Sequence, residues 1–156
     1  MANIEKFTKS SKLLARGRIL ALDPGRRRIG IAISDEDRLI ATPLEKLERR
    51  AWKTLLSRVH DIIREYDAKA LVIGLPLSFE GTETEMSRMA REWARRFELS
   101  LEIPVFLEDE RVTSYEAAGR LWRRKKTKRE TDELLDSEAA AIILETFLER
   151  LRAQDS

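Results

Sequence analysis

Arg18-Ile-Leu-Ala-Leu-Asp-Pro-Gly25 is a short apolar run stopped by a turn, and Arg28-Ile-Gly-Ile-Ala-Ile-Ser34 follows it with β-branched alternation. Two strands joined by a tight turn satisfy both patterns. A third, weaker strand from Leu39 to Pro43, beyond the Asp35-Glu36-Asp37 turn, completes an antiparallel meander. Downstream the period changes. From Trp52, the apolar positions Leu55, Leu56, Val59, Ile62, Ile63 and Tyr66 recur at helical spacing. Ala70-Leu-Val-Ile-Gly74 then reads as a buried strand. Thr82 and Glu85 have capping-box spacing before a helix whose buried stripe is Met86, Met89, Ala90, Trp93, Ala94 and Phe97. Pro104-Val-Phe-Leu107 is the next strand. Thr113 and Glu116 repeat the capping spacing before a helix to about Trp122, and the basic segment after it reads as a loop. A final helix opens at Asp136 and carries Ala140, Ile143, Leu144, Phe147, Leu148 and Leu151 on one face.

Three strands, helix, strand, helix, strand and two helices describe a mixed α/β sheet with helices on its faces. No internal repeat and no Pro/Gly/Ser linker divides the 156 residues, so residues 18–151 are expected to form one domain behind a disordered polar arm, residues 1–17. With 42% hydrophobic and 37% charged residues, the chain has a globular balance. There is no Cys, which excludes disulfides, thiolate metal sites and a cysteine nucleophile, and His60 is the single histidine. At that position on a helix it reads as a solvated surface residue. Carboxylates must therefore carry any metal. No run approaches the roughly 20 apolar residues of a membrane span, so a cytoplasmic protein without membrane contact is expected.

The acids cluster where such sheets place their sites. Asp23 ends the first strand, the edge at which open α/β sheets bind ligands, although Asp before Pro-Gly is also ordinary turn chemistry. Glu108-Asp109-Glu110 lies just beyond the strand Val105 to Leu107, so two parallel strands would end in carboxylates. Asp136 is the third candidate, with a helix-capping reading beside the functional one. Three converging carboxylates repel one another unless divalent cations lie between them. Oxygen-only ligation suits Mg2+ or Mn2+, and such a site supports two-metal phosphodiester hydrolysis.

Cations cluster too, although Lys+Arg 30 against Asp+Glu 28 leaves a net charge of only +2. Arg26, Arg27 and Arg28 follow the first strand. Arg123, Arg124, Lys125, Lys126, Lys128 and Arg129 put six cations in seven residues, a self-repelling run for which a polyanionic backbone is the natural counterpart. No aromatic interleaves them, which favours tracking of phosphates over base readout.

Several ordered blocks resemble the YqgF family, also called RuvX, whose members are described as Holliday-junction resolvases and pre-16S rRNA processing nucleases. The blocks are Leu22-Asp-Pro-Gly25 with Arg28-Ile-Gly-Ile-Ala-Ile-Ser-Asp35, Val72-Ile-Gly-Leu-Pro-Leu77 with Gly81-Thr-Glu83, Asp109-Glu-Arg111 with Thr113, and Asp136-Ser137 with Ala139-Ala140. The resemblance implies an RNase H-like fold, an α/β mixed five-stranded sheet flanked by helices. It also implies a hydrolase acting on phosphodiester bonds. Metal-binding and catalytic carboxylates carried over by position are Asp23, Asp109 or Glu110, and Asp136, with Arg111 as a phosphate clamp. Related resolvases end the fourth strand in a glutamate, whereas here that strand ends in Gly74-Leu75-Pro76, so the middle acid must come from the neighbouring strand.

The expected partner is a nucleic acid, an rRNA precursor or branched DNA, with ribosomal particles as a further partner and a monomer or homodimer as the state. Two other classes compete. An Asp-Pro-Gly turn between strands also resembles the first phosphate loop of actin-like ATPases and kinases, but those build a nucleotide cleft from two such domains. The other is a non-catalytic rRNA-binding assembly factor.

Overall fold

A computed structural model describes residues 16–110 and 128–154, with side chains over 16–110 and 137–154. Its sheet is built from β1 (Ile19–Pro24), β2 (Arg28–Ser34), β3 (Ala41–Glu48), β4 (Ala70–Leu75) and β5 (Val105–Asp109) in the spatial order β3-β2-β1-β4-β5. The first three strands pair antiparallel, as the two tight turns require. β4 pairs parallel with β1 and β5 parallel with β4. Each parallel step needs a crossover, supplied by helices α1 (Trp52–Tyr66) and α2 (Glu85–Ser100). The third described helix, α3 (Lys128–Gln154), crosses the other face.

The two faces differ in residue size. Towards α1 and α2, the sheet presents Leu20, Leu22, Ile31, Leu71, Ile73 and Leu107, which pack with Leu55, Val59, Ile62, Trp93 and Phe97. Towards α3 it presents Ala21, Ala32, Ala70, Val72 and Phe106, against Ala140, Ala141, Leu144, Phe147 and Leu148. Small side chains on both sides of that second interface let α3 approach closely, with the Phe106 and Phe147 rings tilted at 44° and 5.3 Å between centroids. Two long-range hydrogen bonds pin α3. Ser137 Oγ donates to the Leu44 carbonyl at 2.8 Å, and Arg152 Nη1 donates to the Arg38 carbonyl at 2.9 Å. The first lies beside a register shift in the β2–β3 ladder, between Ile29 and Ile31.

Three local expectations are corrected. The third strand begins at Ala41 and runs to Glu48, because Leu39 and Ile40 donate their N–H groups to the Asp35 carboxylate and stay in the turn. Helix α2 is capped by Thr84 with Ser87 and not by Thr82 with Glu85: the Ser87 N–H donates to Thr84 Oγ1 at 3.0 Å, and the Thr84 N–H to Ser87 Oγ at 2.6 Å. Thr82 instead closes the preceding loop, its N–H donating to Ser78 Oγ at 3.0 Å. The last helix starts at Lys128, so Lys128 and Arg129 belong to a helix where a loop was expected, and Asp136 lies inside the helix and does not cap it. The expected N-terminal arm up to residue 15, and the helix expected from Thr113 to Trp122, lie outside the described residues.

Candidate active site

β1, β4 and β5 run in one direction and end at the same edge of the sheet. Leu22 is in register with Ile73 and Gly74 with Glu108, so Asp23, Gly74 and Glu108 form a row across that edge. Two residues earlier the corresponding row is Ala21, Val72 and Phe106, all packed under α3. Strand alternation therefore turns the Asp23 row towards α3 as well.

The middle of the row has no side chain. A Cβ at Gly74 would collide with Glu110 Oε2 and would lie 2.6 Å from Ile143 Cδ1 of α3. The Glu110 carboxylate thus fills the space above Gly74, between β4 and α3. Its backbone is held by the Glu110 N–H donating to the Leu75 carbonyl at 3.2 Å. The Gly74 that removes an acid from β4 is what admits an acid from beyond β5.

Asp23 and Glu110 meet there. Their carboxyls are within hydrogen-bonding reach of each other, a contact that two carboxyls can make only when one of them carries a proton. Burial holds Glu110 above the ordinary carboxylate range. The negative charge of Asp109 pushes the same way, and the bond to Asp23 pulls it back. Glu110 Oε2 is buried and has no hydrogen-bond partner among the described residues. Such an oxygen is costly unless a proton or a cation meets it.

Glu108 shares the face but is engaged elsewhere. It is wholly buried, and Arg150 Nη2 of α3 lies 3.0 Å from its Oε1. Burial lifts its pKa to about 7, against the opposing pull of Arg150 and with a further push from Asp109. Asp109 is in register with Leu75, whose side chain belongs to the core under α1 and α2, so alternation turns Asp109 to that opposite face. Of the acids at the end of β5, Glu110 is the one that shares a space with Asp23. Asp136 lies in α3 seven residues before Ile143, about two helical turns. Its side chain lies outside the described residues, as do the side chains of Lys128 and Arg129 and all of Arg111, Arg123, Arg124, Lys125 and Lys126. His60 is exposed, on the sheet face away from Asp23.

Could these residues hold a metal? Among the described residues no three acids or histidines are grouped closely enough to do so alone. Two do converge, Asp23 and Glu110, with oxygen donors only and one oxygen unsatisfied, which is the donor chemistry a hard divalent cation takes. Sequence reasoning missed two features that shape this pocket. Gly74 offered a signal, a glycine inside an otherwise apolar strand. Ser137, the tether one residue after Asp136, offered none beyond its position in a family block.

A family model named RuvX and described as Holliday junction resolvase matches residues 17–150. The chain belongs to the RuvX family. A RuvX relative from Anaeromyxobacter sp. (strain K), named "Putative pre-16S rRNA nuclease", is 42% identical over 133 residues, covering 85% of this chain and 97% of that protein. A second of the same name, from Maridesulfovibrio salexigens, is 39% identical over 138 residues, covering 85% and 98%. Among solved structures, RuvC of T. thermophilus in complex with a Holliday junction superposes with a TM-score of 0.53 at 16% identity, covering 89% of this chain and 96% of that one. The fowlpox virus Holliday junction resolvase superposes with a TM-score of 0.50 at 15% identity, covering 85% and 99%. The RuvX chain thus has the RNase H-like fold of the RuvC-type resolvases, as the resemblance of its sequence blocks implies.

Proposed function

We propose that this RuvX-family protein is a metal-dependent nuclease acting on structured nucleic acid, with the precursor of 16S rRNA as its substrate. The observation that carries the reading is the meeting of Asp23 and Glu110 above Gly74, half-buried at the carboxyl edge of the parallel strands, with one buried oxygen of Glu110 left unsatisfied. The names borne by its relatives at about 40% identity supply the substrate.

Asp23, Glu110 and Asp136 are the proposed ligands of Mg2+ or Mn2+, with Asp109 adding negative potential beside them. Bound there, the cations would activate water and stabilise the leaving oxygen of a phosphodiester. The chain's own part is to hold the acids in a dry, fixed arrangement. Glu110 is fixed through its backbone bond to Leu75, and the residue after Asp136 is tied to β3 through Ser137. Arg111 and the basic run Arg123, Arg124, Lys125, Lys126, Lys128 and Arg129 are assigned to the substrate backbone, whose charge they match. Residues 18–151 form the nuclease domain. We place the protein in the cytoplasm with ribosomal precursors. No helix among the described residues is long and apolar enough to cross a membrane.

The family description favours one other substrate, a four-way DNA junction, which would call for a dimer to cut two strands symmetrically. Fluorescent precursor rRNA and a labelled junction, each incubated with Mg2+, Mn2+ or chelator, separate the two. Discrete RNA products that vanish with chelator and with Asp23→Asn are expected. Products from the junction alone would move the assignment to DNA. Equal products from parent and Asp23→Asn would end the assignment of Asp23 to the cleavage.

A further inference from the structure

The turn between β1 and β2 carries Arg26 and Arg27, both exposed, and Arg49 follows β3 next to them. Two backbone contacts clamp the segments together: the Arg49 N–H donates to the Arg27 carbonyl at 2.7 Å, and Arg49 Nη1 to the Arg26 carbonyl at 3.4 Å. The turn is tight, since a Cβ at Gly25 would collide with the Arg28 carbonyl. With Arg28 and Glu48, these residues line an open recess of about 450 Å³.

An exposed arginine is usually paired or merely solvated, and several elsewhere on this surface are paired. Arg16 lies within 3.6 Å of Glu36 and Asp37, Arg91 2.8 Å from Glu83, and Arg95 2.6 Å from Glu92. The recess is different. Its one acid, Glu48, is already held by Arg50 at 3.1 Å, and no carboxylate among the described residues pairs with Arg26, Arg27 or Arg49. Three guanidinium groups from two chain segments thus line one recess, and among the described residues none of them has a carboxylate partner of its own. Each presents a planar fork suited to two oxygens of one phosphate.

Position supplies the ligand. Arg26 is three residues beyond Asp23 on the same hairpin, so their Cα atoms are at most roughly 10 Å apart. That is the distance of a few nucleotides from a phosphodiester held at Asp23. We infer that Arg26, Arg27 and Arg49 form a phosphate-binding recess that holds the nucleic-acid backbone to one side of the cleavage site. The inference rests on the nuclease reading for its substrate but not for its test.

The test measures binding of a fluorescent single-stranded RNA in chelator, from about 50 to 200 mM salt, where counterion release makes log affinity fall linearly with log salt. Three full-length variants are compared with the parent. Arg26→Ala/Arg27→Ala/Arg49→Ala empties the recess. Lys53→Ala/Arg58→Ala/Arg64→Ala removes the same charge from the exposed side of α1. Arg26→Lys/Arg27→Lys/Arg49→Lys keeps the charge. Matching thermal midpoints establish that all are folded. The recess variant should flatten the slope by about 2, at roughly 0.7 per lost phosphate contact. The α1 variant and the lysine variant should keep the parent slope. Equal slopes for the two alanine variants overturn the inference. A parent that binds RNA with this pattern but never cleaves it overturns the nuclease reading and leaves the recess standing, whereas a parent that binds no RNA overturns both.

Discussion

A side chain at position 74 and the carboxylate of Glu110 exclude each other, because the space above the Gly74 Cα is where Glu110 Oε2 lies. Gly74→Ala therefore tests the site without touching an acid. The methyl must displace Glu110 or Ile143, an overpacking expected to cost about 1–3 kcal/mol in urea unfolding. The larger effect should be on cleavage, which should fall at least tenfold as Glu110 leaves Asp23. Full activity in Gly74→Ala would show that Glu110 does not act from that position.

Removing a charge from the acid pair should separate chemistry from folding. Glu110 is held above the usual carboxylate range by burial and by Asp109, so its ionised form is a liability in the metal-free protein. Glu110→Gln should keep or slightly raise the melting temperature in chelator while abolishing cleavage and Mn2+ binding. Asp23→Asn should do the same, and RNA binding in chelator should survive in both. Unfolding of either variant would make these residues structural.

Glu108 gives the metal-free protein a pH dependence of its own. Its pKa rises from the usual 4.5 to about 7 on folding, so the folded state holds this proton more tightly than the unfolded chain does. The corresponding stability is fully present below about pH 4.5 and is lost as the pH climbs to about 7, on the order of 3 kcal/mol across that window. Denaturant titrations in chelator should show the decline in the parent and a flatter profile in Glu108→Gln. Parallel profiles would show that the pairing of Glu108 with Arg150 offsets its burial.

Ser137→Ala deletes the tether between α3 and β3 and leaves the Leu44 carbonyl without its donor. A loss of about 0.5–1.5 kcal/mol is expected from the hydrogen bond. If the tether also places Asp136, cleavage should drop further than Mg2+ saturation can restore, and Ser137→Thr should recover most of it. Activity that is fully restored by more Mg2+ would limit Ser137 to stability.

The architecture was legible wherever burial imposed a clean period. The stripe Leu55, Val59 and Ile62 predicts α1 within the bounds observed, and the alternation of Ile29, Ile31 and Ile33 predicts β2. Boundaries failed where short polar residues offered two equivalent solutions: Thr82 and Thr84 both suit a cap, and only the competing Ser78 hydroxyl assigns Thr82 to the loop. The charge of Lys128 and Arg129 suggests a loop, while their backbone extends a helix. At the site, Asp23 announces itself at a strand end. The choice among Glu108, Asp109 and Glu110 does not, since it depends on which face each occupies after the strand stops and on a vacancy at Gly74 that only the packing of β4 against α3 creates.

The tether from Ser137 to Leu44 spans 93 positions of sequence, and that from Arg152 to Arg38 spans 114. During synthesis, β5 is complete at Asp109, while α3 is not finished until Gln154. At 5–20 residues per second, the interval is roughly 2 to 9 s, during which Ala21, Ala32, Val72 and Phe106 wait without their cover. Asp23 and Glu110 also lack the wall that Ile143 provides throughout that interval. A half-made chain emerging from a ribosome therefore carries the Asp23–Glu110 pocket open on one side until α3 is laid down.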